Sequence, residues 1–354
     1  MKPNICIVAD IPNWAFDNIA QKLKKDLSYK YDIRIVYFDR RKEAEYLFEL
    51  IEENKDCDLI HFLNRRMLLL IGSNVFKEKV KSSGYSFQDY IKILRNKCST
   101  AVYDYMDIDE AGIKEHAPIF NMYTKKYYTA TKKLFDIYTS IKEYNKPSAM
   151  VHDICDETKY VPMNLERFDI DSIGNRPIVI GWVGNSMHSG DNGVDLKGFH
   201  SVLKPVICKL IEEGYKFTEC YADRNVEWRA AEEMPEYYSN IDVCICASVH
   251  EGTPRPVLEA MHSGVPVIST DVGIVPEVFG NKQQRFNIGS RNDGKDDDKV
   301  KMKLKECLIY LYNHRELFKE LSQENLVSIV KFDGGKTIKA FETFFDNCLN
   351  MEEC

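Results

Sequence analysis

The sequence predicts an α/β fold built on two doubly wound parallel sheets, and three observations carry that expectation. The chain opens with an apolar run at residues 4–9, an amphipathic stretch at 13–27 and a second apolar run at 32–38, the β-α-β unit of a parallel sheet. Near residue 240 the alternation starts afresh. Residues 243–248 are apolar and β-branched, as a strand covered on both faces must be, and a loop, a helix and another such strand follow. At 354 residues the chain is long enough to bury two cores.

In order, residues 58–62 and 101–105 add strands to the first half, with a polar helical insert around 76–94 between them, and 123–144 reads as helical. The stretch MVHDICDETKYVP, with Asp153, Asp156, Tyr160 and Pro162, follows. Residues 164–176, polar and bounded by Pro162 and Pro177, read as a linker. The second half begins with a strand at 177–183 and the loop GNSMHSGDNGVDLKG, whose Gly184, Gly190, Gly193 and Gly198 permit close backbone approach to a phosphate. A strand at 217–221 and a helix starting at Met234–Pro235 lead to the strand at 243–248. Thr253 can cap the next helix, with Pro254 and Pro256 in its first turn, where a missing N–H costs nothing; that helix runs to Ser263 and stops at Gly264. A strand at 266–269 and a helix start at Pro276–Glu277 follow, then a charged turn at 289–303 and two helices, the last over 335–350. The domains are therefore expected at 1–163 together with 335–354, and at 177–334.

The loop at 250–255 follows the carboxyl end of a strand and precedes a helix, where unpaired N–H groups and the helix dipole favour an anion. The donors left by the two prolines are the N–H groups of Gly252, Thr253, Arg255 and Val257, with Glu251 before the helix and Glu259 along it. Carboxylates accept hydrogen bonds from hydroxyls. A phosphate flanked by hydroxyl-bearing groups on either side describes a nucleotide sugar.

Two glutamates eight apart in EGTPRPVLEAMHSGVPVIST, followed by Val-Gly-Ile-Val-Pro-Glu-Val at 272–278, resemble the signature of the family-4 retaining glycosyltransferases of the GT-B fold, in which two Rossmann-like domains face each other across a cleft. The resemblance covers residues 150–345 well and the first 150 as architecture. It implies sugar transfer from a nucleoside diphosphate donor with anomeric configuration retained. UDP-sugar is the first choice of donor and GDP-sugar the second; no cofactor is required. By position, Glu259 would hold the donor's ribose, Glu251 the transferred sugar and Lys197, of the Lys197–Gly198 pair, the leaving diphosphate, with Gly184, Gly252, Thr253 and Arg255 around it and Arg224 as a further cation. Asn185 stands where the family commonly has an arginine and Met106 where it often has a histidine; His188 either donates to a phosphate or is merely exposed. The family's glycine-rich first loop is here ADIPNWAFDN, whose Trp14 and Phe16 either offer rings to an acceptor or belong to the core. A nucleotide-sugar epimerase of the same fold and a binding module without catalysis are the alternatives.

Asp107-x-Asp109 has the spacing of a metal-binding motif, though the surrounding chain does not fit the fold that uses it, so no metal is assigned and Asp107 is kept as an acceptor-side candidate. The Asp296–Asp298 run reads as a solvated charge run. Net charge is −7 with a pI near 5.7, which argues against nucleic acid as a principal partner. Residues 1–150 alone carry 25 Lys plus Arg against 21 Asp plus Glu, +4, leaving −11 for the remainder. Basic clusters at Arg40-Arg41-Lys42, Arg65-Arg66 and Lys77, Lys79 and Lys81, beside apolar residues 67–71, suit a lipid-linked acceptor at an anionic membrane, the other choices being a soluble glycan or a protein. Eleven scattered cysteines without zinc spacing, and an amino-terminal strand in place of a signal peptide, point to the cytoplasm.

Overall fold

In the computed structural model the described residues are 1–38, 44–104, 107–155, 157–190 and 193–350. The cluster at 40–42, Met106 and Asp156 lie outside them. Two compact units are formed, one by residues 1–154 with 335–354 and the other by 155–334. The segment 164–176 lies inside the second unit: Phe168 and Ile173 enter its core and the buried Arg167 donates to the carbonyls of Tyr238 and Ile241. The segment expected as a linker forms two short helical turns, Leu165–Phe168 and Ile170–Ile173.

The first unit alternates β1 (Asn4–Ala9), α1 (Ala15–Leu27), β2 (Asp32–Tyr37), α2 (Ala44–Glu53), β3 (Leu59–Phe62), α3 (Asn74–Ser82), α4 (Phe87–Lys97), β4 (Cys98–Val102), α5 (Glu110–Pro118), β5 (Lys126–Thr129), α6 (Lys132–Ser140) and β6 (Ala149–Met150). The strands form a parallel sheet in the order β2-β1-β3-β4-β5-β6. Strand β5 falls inside a stretch expected to be helical. Tyr127 and Tyr128 are buried on opposite faces of the sheet and Thr131 caps the helix that follows, so aromatic side chains that mimic a helical period here alternate across a strand.

Alternate residues of β1 feed two cores, Cys6 and Val8 on one face and Ile5, Ile7 and Ala9 on the other. The second face is closed by Phe341, Phe344 and Phe345 of the carboxyl-terminal helix, Gly334–Leu349. Fully buried His61 lies among these rings, 2.9 Å from Ser99 Oγ, and burial pushes its pKa down to about 3, so it is neutral. Lys30 Nζ fastens the helix at 2.8 Å from Glu342 and 2.5 Å from Asp346.

The second unit contains α7 (Ile170–Ile173), β7 (Ile178–Gly184), α8 (Lys204–Glu212), β8 (Phe217–Asp223), α9 (Met234–Ser239), β9 (Val243–Cys246), α10 (Arg255–His262), β10 (Val267–Ser269), α11 (Val275–Val278), α12 (Asp297–Asn313) and α13 (Leu317–Ser328). Its parallel sheet runs β10-β9-β7-β8, so strand order reverses at β7, where the crevice of a doubly wound sheet opens. No helix among the described residues is long and apolar enough to cross a membrane.

Hydrogen bonds from Lys30 and Lys339 hold the Glu342 carboxyl down at about 2, against an ordinary 4.5. A depressed carboxyl stabilises the fold above its unfolded pKa, and that contribution disappears as pH falls through the folded value. Glu342→Gln is therefore expected to lower the thermal midpoint at pH 7 and to flatten its fall between pH 4.5 and 2, read by calorimetry across that range.

Candidate functional site

Two loops meet where β7 and β9 lie side by side. The first, after β7, ends at Gly198, whose φ of +67° suits glycine; a Cβ there would sit 2.2 Å from the carbonyl oxygen of Ala247 at the end of β9. The Asp195 carboxylate accepts from the N–H groups of Gly198, His200 and Ser201 at 2.8–3.0 Å, capping a wide helical turn, Phe199–Leu203, that runs into α8. Arg291, with no exposed surface, joins the two loops: Nη1 donates to the carbonyls of Asp195 (2.7 Å) and Ala247 (3.0 Å), Nη2 to Ser201 Oγ, and Nε and Nη2 to Asp297 at 2.7 Å. Asp297 is thus a structural counter-ion, while Asp298 beside it is 95% exposed and pairs with Lys301. The reading of 296–298 as a solvated run holds for one end only.

Lys197, just before Gly198, pairs Nζ with Glu251 Oε1 of the second loop, and Ser248 Oγ donates to the same oxygen at 2.8 Å. Glu251 Oε2 has no partner among the described residues. Burial alone would lower the Lys197 pKa, but the Glu251 carboxylate outweighs it and holds the ammonium above its ordinary value, so the lysine is charged. His188 is exposed, as one of its two expected readings had it; partial desolvation, then the Lys197 charge, lower its pKa.

After Glu251 the chain is clamped from the next loop. Ile274 N–H donates to the Gly252 carbonyl at 3.2 Å, and a Cβ on Gly273, at φ +48°, would fall 1.8 Å from that oxygen. Because the peptide is planar and trans, fixing the Gly252 carbonyl aims the Thr253 N–H in the opposite direction. The N–H groups of Gly252 and Thr253 make no hydrogen bond among the described residues, and the buried Thr253 Oγ1 has no partner. Thr253 was expected to cap the helix; the cap position is Pro254, which leaves the threonine hydroxyl uncommitted. The Val257 N–H, expected to be available, donates to the Pro254 carbonyl at 2.9 Å.

Glu259 is buried on α10. It accepts from Tyr238 Oη at 2.9 Å and lies 3.7 Å from Arg255 Nε, while burial and then its charge raise the Tyr160 phenol. Asn185 stands in no position to replace an arginine's charge: its Oδ1 accepts from Met187 N–H and from Asn225 Nδ2, stapling the first loop to the end of β8. Arg224 is held there too, its N–H donating to the Gly184 carbonyl at 2.9 Å.

In the first unit Phe16 packs at a tilt against Tyr103, ring centroids 5.2 Å apart, and lies half-buried against the core, whereas Trp14, 45% exposed, stays at the rim of a loop fixed by Asp17, whose Oδ2 accepts from Asn13 N–H at 2.7 Å. Asp107 pairs with Arg66 at 2.7 Å and Asp109 caps α5, so the two aspartates serve separate partners; no group of three or more metal-ligating side chains is found among the described residues. Arg65 is buried against Asp104 and Lys79 pairs with Glu49, while Met67, Leu68 and Ile71 are core residues. Of the cations expected at a membrane, Arg65 is thus buried, whereas Lys77 and Lys81 are exposed.

Two units, each built on a parallel sheet with helices, the second with two loops gathered at its switch point, have the architecture of the GT-B class of glycosyltransferase folds. Residues 211–300 match the family described as glycosyl transferases group 1. The chain is 32% identical over 113 residues to TuaC of Bacillus subtilis, named for a role as a teichuronic acid biosynthesis glycosyltransferase, covering 30% of this chain and 26% of that one. It is 33% identical over 86 residues to the O-antigen chain mannosyltransferase B of Escherichia coli, covering 24% and 22%. The chain thus spans about a quarter of the length of these curated relatives. Among solved structures, Anabaena HepE in complex with UDP superposes with a TM-score of 0.63 at 10% identity, over 98% of this chain and 100% of that one.

Arg291→Ala leaves Asp297 and two carbonyls without their donor and is expected to cost about 3–5 kcal/mol, the range for breaking a buried ion pair. Arg291→Lys is expected to recover only part of this, since a point charge cannot reproduce the fork. Urea denaturation of the three proteins decides it.

Proposed function

We propose that the protein is a retaining, metal-independent hexosyltransferase that moves a sugar from a nucleoside diphosphate sugar to a glycan, lipid-linked or protein acceptor. The observation that carries this is the Lys197–Glu251 pair beside the uncommitted Thr253 hydroxyl and the N–H groups of Gly252 and Thr253 at the amino end of α10. As the glycosidic bond to phosphate breaks, charge grows on the diphosphate, and a lysine, a hydroxyl and backbone donors already held in place stabilise it with little reorganisation. Glu251 Oε2 accepts from hydroxyls of the transferred sugar. Glu259, kept in position by Tyr238 and Arg255, accepts from the ribose. The ligand named for HepE makes UDP-sugar the first donor to test and GDP-sugar the second. The ten described cysteines are free thiols, which supports a cytoplasmic site of action, with any membrane contact peripheral.

A thermal-stabilisation screen of nucleotide sugars identifies the donor by mass action. Incubation with that donor and a panel of glycan, lipid-linked and protein acceptors then separates the readings: glycosyl transfer gives a free nucleoside diphosphate and a glycosylated acceptor of unchanged anomeric configuration. An epimerised nucleotide sugar, or binding without turnover, contradicts the proposal.

Glu259→Ala is expected to weaken binding of the free nucleoside diphosphate by about 1.5–3 kcal/mol, and Glu251→Ala to spare that binding and lose turnover. Equal nucleotide affinity in both variants and the wild type, measured by calorimetry, contradicts the assignment.

Lys197→Ala is expected to lower turnover about a hundredfold or more, and activity is expected to survive EDTA. Loss of activity with EDTA that a divalent ion restores would overturn the metal-independent reading.

A further inference from the structure

A second concavity lies in the first unit at the opposite edge of its sheet from the strand ends where doubly wound folds bind ligands. It is formed where α4 ends and where the chain enters β5 and β6, encloses about 250 Å³, and carries Arg95, Lys125, Lys126 and Lys146 in its lining without a carboxylate. That volume is below the range of drug-sized pockets and suits a compact group.

The neutral polar groups of the pocket are already engaged. Asn121 donates to the Glu143 carbonyl at 2.6 Å and accepts from Asn145 N–H at 2.7 Å, while Tyr127 Oη donates to the Asn145 carbonyl at 2.5 Å. These bonds fix the loop before β6 against the loop before β5, so the concavity is preformed. The four cations, by contrast, have no ion pair among the described residues, although elsewhere in this unit Lys30, Arg34, Arg65, Arg66 and Lys79 all face carboxylates. Lys125 and Lys126 are half-buried. Burial and the like charges of Lys126 and Lys97 hold the Lys125 ammonium below its ordinary value. Like charges gathered in one hollow oppose folding unless an anion joins them.

We propose that this pocket binds a multiply charged phosphoryl group, a diphosphate or a phosphate monoester, at a site separate from the donor loops of the second unit. Arg95 supplies a planar fork suited to two oxygens of one phosphate, and the three lysines supply point charges that accept any orientation of the remainder.

The test is amine-acylation footprinting of the full chain, read by mass spectrometry, with inorganic pyrophosphate as the free probe and vesicles of phosphatidic acid in phosphatidylcholine as the lipid-borne one. Saturating pyrophosphate at about ten times its Kd is expected to slow labelling of Lys125, Lys126 and Lys146 about tenfold, with Lys24 and Lys25 of α1 unaffected. Protection by the vesicles and not by pyrophosphate also supports the phosphoryl chemistry and assigns it to a headgroup. The site-resolved readout keeps this result apart from any binding at Lys197. Lys125→Gln with Lys126→Gln is expected to abolish protection of Lys146, while Lys24→Gln with Lys25→Gln leaves it intact. No selective protection by either probe, or equal loss in both double variants, overturns the proposal.

Discussion

The two loops that follow β7 and β9 depend on one buried guanidinium. Arg291 spans from the carbonyl of Asp195 to that of Ala247, and its charge is met by Asp297. An isolated buried charge would be costly, but here both the Coulomb partner and the acceptors are present, so the fork fixes the spacing between the two loops. Gly198 is the steric counterpart, since the same approach that Arg291 enforces leaves no room for a Cβ against Ala247. With this spacing set, Lys197 reaches Glu251, and the charged groups are drawn from loops 54 residues apart in sequence.

Electrostatically the site is two nested pairs. Lys197 with Glu251 lies toward the loops, and Arg255 with Glu259 and Tyr238 lies along α10. The first pair leaves acceptor capacity over, since Glu251 binds its partners through one oxygen. The donors that remain uncommitted, the Thr253 hydroxyl and two backbone N–H groups, sit between the two carboxylates in the chain. An anion placed there replaces no strong internal bond, which is the condition for electrostatic preorganisation.

What could be read from the sequence was local. The strand at Asn4–Ala9 and the stretch around β9, α10 and β10 declare themselves through continuous apolar runs punctuated by glycine and proline, because strands buried on both faces leave no other pattern. The short strand Lys126–Thr129 did not, since four residues with two tyrosines carry too little period to separate strand from helix. The glycosyltransferase resemblance and the two-unit fold were legible, and Lys197 and Glu251, singled out by it, prove to pair across the two loops. Arg291 was not, because its carbonyl partners lie 96 and 44 residues away and nothing local marks it. Nor was the freedom of the Thr253 hydroxyl, which follows from helix geometry one residue later than its composition suggests. Arg65 shows the converse: beside Arg66 it looks like surface charge until Asp104 arrives from another loop to meet it in a buried place.

The helix Gly334–Leu349 belongs to the first unit although 180 residues of the second unit, Cys155–Gly334, stand between it and the rest of that unit. During synthesis the second unit, continuous in the chain, has all of its contacts in hand before the first one does. The first emerges with Tyr31, Leu59, His61 and Tyr128 presented on an open sheet face, and this face stays bare until Phe341, Phe344 and Phe345 leave the ribosome. Closure then bridges contacts more than 300 residues apart, such as Tyr31 to Glu342, which places it late and slow among the folding events. The interval in which a nascent chain is exposed to aggregation or to chaperone capture therefore includes the time taken to translate the second unit.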